Sequence, residues 1–151
     1  MRESVAVGAL FGMTAGNISV DDALKTADKI LKIVGLYEKR LELAGKLTGP
    51  EKKLLELARA IAMKPKLLLL DEVMAGMPPS EIDRLSKIVR DLAEEGVSTV
   101  SLVEHVMRTV AKIAVRALVL YRGEIVIEGP VEEILRSDRL REIYLGAGRV
   151  P

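Results

Sequence analysis

Hydrophobic positions along the chain change their rhythm near residue 65. Before it the spacing is helical. Ala23, Leu24, Ala27, Ile30, Leu31 and Val34 recur on one helical face, with Asp21 and Asp22 where negative charge favours a helix start and Gly35 where a helix stops. Leu54, Leu57, Ala58 and Ile61 form a second apolar face over residues 50–63, closed by Pro65. The opening stretch "MRESVAVGALFGMTAGNI" is apolar and glycine-spotted, and predicts a short helix followed by a loose connection.

After residue 65 the apolar residues come in runs. "LLLL" at 67–70 reads as a strand over 67–71 covered on both faces, as in a parallel sheet. A helix over 80–95 follows, with Ser80 as its N-cap and Gly96 as its stop. "VSTVSLVEH" is then a strand, "VMRTVAKIA" a helix and "RALVLY" a strand, and Arg122-Gly123 turns it into "EIVIEG" as a hairpin. "PVEEILRS" and "DRLREIYLG" are short helices. Strands alternating with helices predict an α/β protein with a parallel sheet and helical crossovers. The division is a helical part, 1–65, and a sheet-bearing part, 66–151. There is no internal repeat or low-complexity linker.

Composition narrows the setting. At 151 residues, 49% hydrophobic and 30% charged, the chain is globular and long enough to bury a core. A net charge of +1 gives no electrostatic case for a nucleic-acid partner. Without cysteine there is no disulfide, thiolate metal site or Cys nucleophile. No apolar run reaches the roughly 20 residues of a membrane span, and a cytosolic setting is expected. The chain also lacks glutamine, and Asn17 is its only asparagine; depletion of Asn, Gln and Cys with abundant Lys and Glu is a bias found in heat-adapted proteins.

The candidate chemistry gathers where strands end. Asp71 and Glu72 close the leucine run, and ligands of open α/β sheets bind beyond the carboxyl ends of strands. Two solvated acids in a turn would look the same. His105, the only histidine, follows the next strand in the same sense. Upstream, "LTGPE" places Thr48 three residues before Glu51, a capping box with Pro50 in the first turn. A helix start with the Gly49 amide available is also an anion site.

Taken in order, "LTGPE", "LELARAIA", "LLLLDE", "AGMPPSE", "VSLVEH", "LYRGEIVIEGPVEEI" and "REIYLGAG" resemble the ATP-binding subunit of an ABC transporter, most of all those of branched-chain amino acid importers. The resemblance spans nearly the whole chain and implies part of a P-loop NTPase core behind a helical subdomain. It implies that Asp71 of the Walker B strand orders Mg²⁺ and that Glu72 polarises the attacking water, the two catalytic parts being Glu72 and His105, which senses the γ-phosphate. It implies that Thr48, Gly49 and Glu51, in the signature motif, contact ATP held by a second ATPase subunit. Permease subunits are the other implied partners, at the inner face of the cell membrane.

The departures are specific. A Walker A loop, G-x-x-x-x-G-K-[ST], is missing, and the Q-loop glutamine cannot be present. Pro50 stands where the family has a glycine, Glu51 where it has glutamine, and Val73 where proline follows the catalytic acid. The chain thus reads as the later part of the subunit, a fragment or truncated reading frame whose isolated form is expected to be inactive. The alternatives are a non-catalytic interaction module derived from the same family, and an unrelated metal hydrolase built on Asp71, Glu72 and His105, which needs a further ligand.

Overall fold

The computed structural model describes residues 1–12, 18–94 and 99–145. They form two compact units, Met1–Val103 and a second beginning at Glu104.

Three helices open the first unit: α1 (Arg2–Phe11), α2 (Val20–Ile33) and α3 (Gly49–Ala62). Each packs on the other two. Val5, Ala23, Ala27, Leu31, Leu54 and Ala58 are buried among them. The small residues let helices approach closely: a Cβ on Gly8 would lie 2.7 Å from the Arg59 carbonyl oxygen. Arg2 adds a two-pronged pair to Asp28, Nε to Oδ1 at 2.8 Å and Nη2 to Oδ2 at 2.7 Å, which ties α1 to α2.

α2 starts and stops as its sequence requires. The Ser19 hydroxyl accepts from the Asp22 amide at 3.1 Å. At the other end Gly35, at φ +66°, turns the chain so that the Leu36 amide reaches the Leu31 carbonyl and the Gly35 amide the Lys32 carbonyl. Those are the two bonds of a Schellman ending.

Strand β1 (Leu67–Asp71) pairs in parallel with β2 (Thr99–Val103), Leu67 opposite Thr99 and Asp71 opposite Val103. Helix α4 (Pro79–Glu94) makes the crossover and lies against β2. The leucine run is not covered on both faces. Leu68 and Leu70 are buried, whereas Leu67 and Leu69 are 53% and 70% exposed. The strand thus follows the two-residue alternation of a sheet covered on one side. The predicted N-cap also shifts. Ser80 lies within the first turn of α4, and the Pro78 carbonyl accepts from the Glu81 and Ile82 amides, both at 3.0 Å. The predicted stop, Gly96, lies outside the described residues.

The second unit contains α5 (Met107–Ile113), β3 (Arg116–Tyr121), β4 (Glu124–Pro130), α6 (Val131–Arg136) and α7 (Asp138–Leu145). β3 and β4 form an antiparallel hairpin, separate from the parallel pair, with a register shift between Val119 and Leu120. Arg122 at φ +51° and Gly123 at φ +86° make its turn, the left-handed pair that suits the twist of a hairpin. Helix α6 packs on both strands and on α5, burying Val131 and Ile134.

Candidate nucleotide site

The acid pair sits where the parallel ladder ends. Asp71 is the last residue of β1, and the Glu72 amide still donates to the Val103 carbonyl at 2.9 Å. The chain then turns away from the sheet. Glu72 adopts φ +45°, a left-handed conformation that costs a residue with a Cβ about 1–2 kcal/mol. Both acids are exposed.

The turn that follows is held in three ways. Its own amides close it, Ala75 to the Glu72 carbonyl and Met77 to the Met74 carbonyl, both at 3.1 Å. Met74 and Met77 are buried and anchor it to the core. Lys53 reaches in from α3, its ammonium donating to the Glu72 carbonyl at 3.1 Å and the Ala75 carbonyl at 2.7 Å. Between α3 and β1 lies a groove of about 290 Å³, lined by Lys53, Leu57, Asp71, Glu72 and Val73 among others.

The second group lies at the start of α3. Thr48 is the N-cap: its hydroxyl accepts from the Glu51 amide, and the Glu51 carboxylate accepts from the Thr48 amide at 3.0 Å. The capping box is therefore formed. The other Glu51 oxygen accepts from Lys39 Nζ at 2.6 Å. Lys39, with the Thr48 amide second, holds the Glu51 carboxyl below its ordinary range, and Glu51 in turn raises Lys39. The negative charge at position 51 is thus met by a cation within the chain. Gly49 is exposed, and a Cβ there would meet nothing within 4 Å.

The first unit therefore brings Asp71 together with Glu72, and Thr48 and Gly49 together with Glu51. His105 belongs to the second unit, exposed and just ahead of α5. Sequence reading missed Lys39 and Lys53. Either lysine alone reads as a solvated charge, because the partners that define them lie 12 to 22 residues away along the chain.

Among the described residues no three His, Cys, Asp or Glu side chains gather into a metal cage. Mg²⁺ needs less, since one or two carboxylates suffice when phosphate oxygens and water complete its octahedron. The exposed Asp71 carboxylate at a strand end fits that demand.

The chain is similar to known proteins of one class. The ABC transporter family matches residues 4–75. The energy-coupling factor transporter ATP-binding protein of Clostridium tetani is 34% identical over 99% of the chain and 53% of its own length. The high-affinity branched-chain amino acid transport ATP-binding protein of Pseudomonas aeruginosa is 37% identical over 97% of the chain and 60% of its own. A metal-chelate type ABC transporter in an inward-facing conformation superposes with a TM-score of 0.80 at 26% identity, over 95% of this chain and 57% of its own. By sequence and fold the chain is similar to ABC transporter ATP-binding subunits. It spans a little over half the length of these relatives.

Proposed function

We propose that this chain supplies the later part of an ATP-hydrolysing subunit of an ABC transporter, residues 1–65 acting as the helical subdomain and 66–151 as the remainder of the nucleotide-binding core. The observation that carries the reading is the Asp71–Glu72 pair at the carboxyl end of a parallel strand, beside the helix that begins with Thr48. Asp71 would hold Mg²⁺, which neutralises phosphate charge, and Glu72 would orient and polarise the attacking water. His105 would contact the γ-phosphate. Thr48, Gly49 and Glu51 would face ATP on a second ATPase subunit, with permease subunits as the membrane partners. No helix among the described residues is long and apolar enough to cross a membrane. Branched-chain amino acids are the proposed cargo, supported by the Pseudomonas relative; the Clostridium relative, of another transporter type, shows that the family likeness alone does not select it.

By itself the chain should bind Mg-ATP weakly or not at all, because the backbone amides and lysine of a Walker A loop carry most triphosphate affinity. Calorimetric titration of the chain checks this, and a low-micromolar dissociation constant would overturn it. Joined to the preceding part of a related subunit, it should bind and hydrolyse ATP. Glu72→Gln should then lower kcat by at least about 100-fold, the order expected for a group that handles the nucleophile. Hydrolysis that survives this substitution rejects the role of Glu72. A complete subunit that binds but never hydrolyses ATP would favour the non-catalytic interaction module.

A further inference from the structure

We propose that Lys53 is a positioning residue that couples the signature segment at the start of α3 to the turn carrying Glu72. The role assigned to Glu72 above is the reading on which its functional meaning rests. Three observations converge on it. Lys53 bridges two carbonyls of one turn, those of Glu72 and Ala75. That turn holds its acid in a left-handed conformation, which persists only where the surroundings over-determine it. Lys53 also stands on the same helix as Thr48 and Glu51, five residues beyond the cap and so roughly 7.5 Å along a rigid rod. A shift of the segment that faces one nucleotide would thus be carried by a single side chain to the acid that serves another.

An ammonium suits this task. It offers three donors on a flexible stem and can satisfy two carbonyls at once without imposing the flat fork of a guanidinium. The alternative is a lysine that merely satisfies a turn. In that case its loss would loosen the turn, but disturbing the helix start would leave the turn untouched.

The test is amide hydrogen exchange on the full chain, read at Ala75 and Met77, with the buried helix amides of Leu31 and Leu57 as internal controls. Lys53→Met should speed exchange at Ala75 and Met77 by about tenfold or more, the size expected when two hydrogen bonds to carbonyls are lost, and leave the controls unchanged. Lys53→Arg should recover part of the protection. Thr48→Ala, which loosens the helix start, should speed the same two amides in the Lys53 chain and have no further effect in the Lys53→Met chain. Equal effects of Thr48→Ala in both backgrounds would overturn the coupling, and unchanged exchange in Lys53→Met would overturn the bridge itself. In the joined subunit, Lys53→Met should lower kcat with KM for ATP unchanged. If Glu72→Gln leaves hydrolysis intact there, the catalytic reading of Glu72 falls while the exchange cycle still decides the coupling.

Discussion

Gly35 concentrates two demands in one missing carbon. Its φ of +66° is the left-handed turn that ends α2, and an added Cβ would run into the Arg84 guanidinium, whose Nη2 donates to the Val34 carbonyl at 3.0 Å. Gly35→Ala should therefore destabilise the first unit by about 1–3 kcal/mol, through backbone strain and displacement of Arg84. Denaturant unfolding checks this, and an unchanged midpoint would mean that Arg84 moves aside freely. Half of this was legible in the sequence. A glycine after the last apolar position of a helix is a local signal. Arg84 lies 50 residues beyond Val34 and carries no mark of its partner. The same asymmetry separates Glu72, legible because it follows a leucine run, from Lys53, whose partners are carbonyls that any residue type provides.

At the scale of the element, α3 shows what a helix start can hold. Thr48→Ala should cost about 1 kcal/mol of stability through loss of the N-cap, read from the same unfolding curves. Its pH dependence follows from the direction of the shifts. Because the folded state lowers Glu51, the contribution of its cap and Lys39 contacts is present above the ordinary carboxyl value of 4.5 and is lost as pH falls through the depressed one. Asp22, lowered first by the Ser19 hydroxyl and then by Lys25, has the same sign at the start of α2. Lys39 has the opposite sign: raised by Glu51, it contributes below its ordinary 10.5 and ceases to as pH rises through the higher value. Glu51→Gln should thus be less stable than the parent at pH 7, with the gap closing in acid. A gap independent of pH would reject the ion pair as its source. The capping box was legible because its two residues are three apart. Coverage of β1 was misread because four consecutive leucines satisfy a strand buried on both sides and one buried on a single side equally well.

For the whole molecule, the two units differ in how much core each encloses. In the first, leucines, valines and alanines of four helices and β1 are buried; in the second the buried side chains among the described residues are Thr109, Val131, Ile134 and Leu140. A chain ending after Val103 should keep its helical circular dichroism and unfold cooperatively, whereas the portion from Glu104 onward should not fold alone, since so short a chain buries too little apolar surface. Cooperative unfolding of the isolated second portion would contradict this. The feature with the widest consequence is the backbone at Glu72. Its left-handed conformation is a standing charge of about 1–2 kcal/mol against a typical total stability of roughly 5–15 kcal/mol. Selection for foldedness alone would favour glycine or asparagine there, and so, under the catalytic role proposed for Glu72, the acid stands at a position where durability and chemistry pull in opposite directions.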